Sequence, residues 1–246
     1  FVPIKDSNLE QIIRQALGIP THLLQASDLL AITELNAMGA QISDLTGLEF
    51  CLNLTKLELG SIHIYDDRNN NQVINISSLS GLTDLTYLSL AHNQISDISA
   101  LSNLQNLTYL DLGYNQVGDI TPLSSLTKLT ELWIDRPTEN GITGISALTN
   151  LTELTRLALR GNQISDISPL AKMSKLSTLE LNDNQISDIS VLTQSDVRVS
   201  SIINLSGNPL NYEAYLIYIP LIKQIHSSVW SFSYDSSIDE GDILVK

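Results

Sequence analysis

Apolar and polar positions alternate along this chain in one recurring phrase. From Leu85, leucine and isoleucine occupy positions 85, 88, 90, 95, 98, 101 and 104. The Leu88-Ser-Leu90 segment alternates with period two and predicts a short strand. The later apolar residues stand three apart, the period of 3₁₀ turns. The phrase restarts at Leu107, 22 residues on, again at Leu154 and Leu176, and with drift or insertion at Ile32, Leu54, Leu129 and Ser200. One such unit cannot enclose its own apolar side chains, whereas a stack buries them in a continuous core. The pattern therefore predicts an α/β solenoid of about eight units. Its strands pair in parallel, each reached by a right-handed return path.

Two polar columns accompany the apolar one. Asn93, Asn115, Asn162, Asn184 and Asn208 stand where each strand ends. A buried amide there can satisfy backbone groups of its own coil and the next, so these residues are expected to form a structural ladder. Asp97, Asp119, Asp166 and Asp188 recur before each 3₁₀ turn and read as local caps rather than as a cation column.

The strings Leu-x-Leu-x-x-Asn-Gln-Ile-Ser-Asp-Ile-Ser-x-Leu at 88–101, 157–170 and 179–192 resemble the leucine-rich repeats of bacterial surface proteins. The match is to the internalin-like 22-residue class and covers about residues 32–210. The resemblance implies a curved solenoid with its parallel sheet on the concave side and 3₁₀ turns on the convex side. It also implies a bacterial protein engaged in adhesion or recognition.

The open ends of such a stack need covers. Residues 1–31 are assigned to a helical cap in which Leu9, Ile12, Ile13, Ala16 and Leu17 share one face, Asp6 or Ser7 starts the helix, and Gly18 with Pro20 ends it. A second short helix is expected around Ser27–Ala31. Repeats fill 32–210, and a C-terminal cap of helix plus strand occupies 211–234. The helix, Tyr212–Gln224, should bury Tyr215, Leu216, Ile219 and Ile222 and break at Pro220; the strand, Val229–Tyr234, should cover the last edge. Residues 235–246 read as a linker or the start of a further domain.

The formal net charge is −14, which argues against nucleic acid and against docking on anionic lipid. No run approaches the length of a membrane span, so direct insertion is not expected. The single cysteine, Cys51, falls in an apolar slot and reads as core. Neither metal-ligand spacing around His22, His63, His92 and His226, nor a glycine-rich phosphate loop, nor a nucleophile elbow occurs, so no cofactor, metal or catalysis is expected. Insertions follow the strands of repeats two and five, within 60–70 and 135–139. The first contains Asp67, Asn69 and Asn71 at alternate positions, a fragment of a calcium-loop pattern without its glycine and final glutamate, and reads as a polar loop.

Positions flanking the core leucines of each strand line the predicted concave face. Its middle collects Tyr87, Tyr109, Tyr114 and Trp133, with His92 and Asp111 among them and Arg136, Arg156 and Arg160 on the C-terminal side. Only 5% of residues are aromatic, so four on one face mark a candidate site built from hot-spot residue types. Gly113 and Gly161 should leave shallow dips between them. A purely structural reading competes: Tyr87 beside Tyr109 is a good cross-strand pair, and Glu131–Arg156 and Asp135–Arg160 could simply be neighbouring ion pairs. The sequence thus predicts a monomeric, non-catalytic module, secreted or at the cell surface, that binds a protein or glycan through these residues. The alternative is a structural or regulatory spacer in a larger protein.

Overall fold

The computed structural model describes residues 1–61, 70–135, 141–194, 196–197, 199–225 and 231–234. Asp67, Asn69 and Arg136 lie outside these residues. The chain divides into two compact units, Phe1–Leu132 and Trp133–Lys246.

In the first unit, β1 (Glu34–Asn36), β2 (Lys56–Glu58), β3 (Tyr87–Ser89) and β4 (Tyr109–Asp111) pair in parallel in chain order. The register is the one the repeat predicts: Glu34, Lys56, Tyr87 and Tyr109 stand side by side, as do Asn36, Glu58, Ser89 and Asp111. The central residues Leu35, Leu57, Leu88 and Leu110 point inward and are buried. The next strand, β5 (Glu131–Trp133), spans the boundary. Within the first unit, its Glu131 amide donates to the Thr108 carbonyl at 3.1 Å. In the second unit β6 (Arg156–Ala158), β7 (Thr178–Glu180), β8 (Ile202–Asn204) and β9 (Ser231–Ser233) repeat the arrangement. Short 3₁₀ turns such as Ser99–Leu101 and Ser168–Lys172 return the chain.

The asparagine column holds the coils together. The Asn115 Nδ2 donates to the carbonyls of Leu112, in its own coil (3.1 Å), and Leu90, in the preceding one (2.9 Å); its Oδ1 accepts from the Ile95 amide at 3.0 Å. Asn93, Asn162, Asn184 and Asn208 repeat the pattern. Asn71 belongs to the same ladder: its amide joins the Ala37 and Leu59 carbonyls and accepts from Ile42, each at 2.8 Å. It is therefore a buried structural residue and not part of a calcium-loop fragment. A second ladder has no counterpart among the sequence expectations. The hydroxyls of Thr55, Thr86, Thr108 and Thr130 each donate to the threonine carbonyl one coil before.

The aspartate column acts locally, with a small shift from the expected position. Asp97, Asp119, Asp166 and Asp188 each accept the amide two residues ahead at 2.8 Å, an Asx turn that opens the 3₁₀ segment. Those backbone bonds hold the carboxyls of Asp97, Asp119 and Asp166 below the ordinary range.

The ends differ in detail from the expectations. In α1 (Ser7–Leu17), Asp6 caps the amides of Asn8 and Leu9, and Gly18 ends the helix at φ 68°. Only Leu9 and Ile13 of its apolar face are buried, while Ala16 is exposed, because a single end coil covers a narrower stripe than a full groove would. The second helix, α2, is Ala26–Leu29. Near the C-terminus, Ala214–Tyr218 forms a π-helix that runs directly into α3 (Ile219–Ile225). Pro220 thus interrupts nothing. A proline ring crowds the carbonyl four residues earlier, and the wider turn before it removes that conflict. Ile219 and Ile222 are buried, whereas Leu216 faces solvent. The last strand pairs in parallel with β8.

The ladder makes a differential prediction. Asn115→Ala orphans two carbonyls and an amide in a buried site and should cost about 2–4 kcal/mol. Asp119→Ala removes an exposed turn contact and should cost about 1 kcal/mol. Urea unfolding of the two variants measures both; equal losses would contradict a coil-to-coil role for the asparagine.

Candidate functional site

In the first unit, the register of β3 and β4 brings Tyr87 and Tyr109 together. Their rings lie parallel, 4.1 Å between centroids and 3° between planes. From β2, the Lys56 Nζ stands 5.0 Å from the Tyr87 ring centre and 3.2 Å from the Glu58 Oε1. Each ring covers its neighbour, so both tyrosines are half-buried rather than standing clear in solvent.

Asp111 follows Tyr109 on the same face, about 7 Å along the strand. Its Oδ1 accepts the Gly113 amide at 2.9 Å, and among the described residues no cation meets the carboxylate. Burial pushes its carboxyl above the ordinary 3.8, and the Gly113 bond only partly opposes that. The Tyr109 hydroxyl is also pushed up, first by burial and then by the Asp111 charge.

The next slot of the repeat is held by Gly39, His92 and Tyr114 in the first unit and by Gly161, Asp183 and Gly207 in the second. All six adopt left-handed backbone, with φ from 56° at Tyr114 to 70° at Gly161 and Gly207. The turn requires it. There the chain leaves the strand while the amide still bonds to the neighbouring coil, as His92 does to the Gly113 carbonyl at 2.9 Å and Asp183 to that of Ser206 at 2.8 Å. Glycine adopts this conformation freely and Asp tolerates it, whereas a side chain such as Tyr114 costs about 1–2 kcal/mol. The first unit nevertheless places two rings in this slot, and they stack at 4.2 Å and 9°. The signal was legible in the glycines at 39, 161 and 207, which mark a backbone constraint rather than a mere dip.

Three site residues of the second unit are described. Trp133 is half-buried, and its indole N–H has no hydrogen-bond partner among the described residues. Arg156 and Arg160 are exposed. Asp135 meets Arg160 through the backbone, where the Arg160 amide donates to the Asp135 Oδ1 at 2.9 Å. The Arg160 guanidinium turns instead to Asp183, with Nε 3.2 Å from Oδ2. Asn182 donates to the same Asp183 oxygen at 2.8 Å, and its own Oδ1 is buried without a hydrogen-bond partner.

Nothing among the described residues gathers three or more His, Cys, Asp or Glu side chains into a possible metal site. Burial pushes the Cys51 thiol up to about 12, which keeps it protonated and unreactive. No described helix is long and apolar enough to cross a membrane.

Comparison with known proteins agrees with this geometry. The family described as "Leucine Rich repeats (2 copies)" matches residues 105–150 and 152–194, and "Leucine rich repeat" matches 53–117. The crystal structure of internalin C2 from Listeria monocytogenes is 31% identical, with 94% of this chain and 92% of that one covered, at a TM-score of 0.77. The functional domain of InlJ from the same species shares the fold at 20% identity (94% and 59% covered, TM-score 0.54). The leucine-rich repeat ectodomain of the Arabidopsis thaliana membrane receptor kinase GASSHO1/SCHENGEN3, in complex with Casparian strip integrity factor 2, is 26% identical. It covers 68% of this chain and 20% of that one, at a TM-score of 0.54. No curated protein matches the chain in a sequence search.

The environment of Asp111 has a consequence for stability. The folded protein holds this proton more tightly than the unfolded chain, so the group favours folding at low pH and opposes it as pH rises through its raised value. Asp111→Asn keeps an acceptor for Gly113 and removes the charge. It should stabilise the protein by about 0.5–1 kcal/mol at pH 7, a gain that shrinks to nothing as the pH falls below 3.8. Unfolding midpoints across that range check this; a destabilised variant at pH 7 would show that the charge serves the fold.

Proposed function

We propose, from the premise that this chain belongs to the internalin-like leucine-rich repeat family, that it is a non-catalytic recognition module. Leucine-rich repeats commonly serve protein binding, and the receptor ectodomain above is itself seen in complex with Casparian strip integrity factor 2. The partner here is a protein, bound through the sheet face. The setting is the surface of a bacterial cell or its surroundings, as similarity to Listeria internalins suggests.

One observation carries the reading. Along β3 and β4 the first unit concentrates features that do not serve its fold: left-handed His92 and Tyr114, and the desolvated charge of Asp111. Strain and unpaired charge persist where function retains them. With the Tyr87–Tyr109 stack they form a patch of residue types that dominate protein interfaces. The second unit, taken by itself, also carries interface residue types in Trp133, Arg156 and Arg160.

The test is an array of purified extracellular protein domains and glycans, probed with the wild-type chain, with Tyr109→Ala and with Gln105→Lys, an exposed control off the sheet face. A protein ligand should be found whose affinity falls about 30-fold or more with Tyr109→Ala and is unchanged by Gln105→Lys. Loss of the tyrosine stack should cost no more than about 1 kcal/mol of stability. A ligand indifferent to Tyr109 would remove this face from recognition.

A further inference from the structure

We infer that the group received on the first unit's face is an arginine side chain of the partner protein, seated at Asp111 between the Tyr87–Tyr109 and His92–Tyr114 ring pairs. The inference rests on the recognition reading above and specifies its chemistry.

The column that holds Asp111 supplies the first argument. Its position is occupied by Asn36 in β1 and Asn204 in β8, and both make the same bond, side-chain oxygen to the amide two residues on, at 3.1 and 3.2 Å. An amide therefore does everything the turn asks. Asp111 performs that task at 2.9 Å and adds a negative charge for which the described structure holds no cation. The charge is surplus to the fold.

Its surroundings supply the second. Among the described residues, those beside Asp111 between the ring pairs are small: Ser89 and Ala91 on one strand and Gly113 on the other, the first two 8% and 9% exposed. The carboxylate thus sits on a low, largely dry floor with aromatic rings at either end. Water screens it poorly there, and a cation brought to it is held more strongly than at an open surface.

The third is charge. Among the described residues, the face of this unit carries Glu34, Glu58, Asp111 and Glu131 against Lys56, and Lys56 is already paired with Glu58. It favours a basic partner. A guanidinium is the fitting cation because it is planar, stacks on tyrosine and offers a carboxylate two parallel N–H donors. An ammonium meets the charge but not the rings, and a neutral sugar meets the rings but not the charge.

A random peptide library displayed on phage and selected on the wild-type chain tests this, with counter-screens on Tyr109→Ala and Asp111→Asn. Asp111→Ser, which copies Ser89 at the same register, serves as a second variant should the first fail to fold. The expected peptides depend on Tyr109, carry arginine at one fixed position, and lose about 30-fold or more in affinity on loss of the Asp111 charge or on replacing that arginine by citrulline. Tyr109-dependent peptides that lack arginine, or that bind the Asp111 variants unchanged, overturn the arginine and leave the recognition face intact. A selection without any Tyr109-dependent peptide overturns both. Tyr109-dependent binding found only on a glycan array assigns the face to sugars and overturns the arginine.

Discussion

The structure depends on one interaction, the asparagine amide that ties each coil to the one before it. Buried among leucines, a backbone carbonyl without a partner costs more than a hydrogen bond returns, so the site must be satisfied in full. Asn115 does this for Leu90, Leu112 and Ile95 together, with donors and acceptor in three directions. The geometry that lets it do so also fixes the end of the strand, where the residue just before the asparagine turns left-handed, as Tyr114 does before Asn115. The repeat is therefore kept by a local requirement that every coil must meet again.

That requirement separates what the chain is free to vary from what it is not. Inward leucines, the asparagine and threonine ladders and the aspartate turns repeat because packing and hydrogen bonding leave few substitutes. The sheet face carries no such obligation. Glu34, Lys56, Tyr87 and Tyr109 are neighbours in register yet differ in charge and size. Where the face departs from what the fold prefers, as with a tyrosine in a slot that suits glycine or a carboxylate where an amide suffices, the departure points to selection for something outside the fold.

Much of this was legible in the sequence, because a period of 22 residues translates directly into strand register. Tyr87 beside Tyr109 and Arg156 beside Thr178 followed from alignment alone. The asparagine ladder was legible too, since a single polar residue recurring among leucines has to be satisfied by backbone. Asn71 was misread because an insertion broke the count, although its bonds are those of its counterparts. The left-handed column was visible as scattered glycines, but His92 and Tyr114 hid it. What periodicity could not convey was burial on the face itself: whether a tyrosine stands free or lies against its neighbour depends on rotamers. The Arg160 contact with Asp183 in place of Asp135 is of the same kind, a side-chain choice between two nearby carboxylates.

The central claim is that the Tyr87–Tyr114 face of the first unit is built to receive a cation from a partner. A crystal structure of the chain with a protein ligand tests it most directly, through the distance from the Asp111 carboxylate to the nearest partner nitrogen. The expected result is a guanidinium about 2.7–2.9 Å from that carboxylate, with its plane against a tyrosine ring. A partner seated on the 3₁₀ turns, with the Asp111 carboxylate still open to solvent, would contradict it.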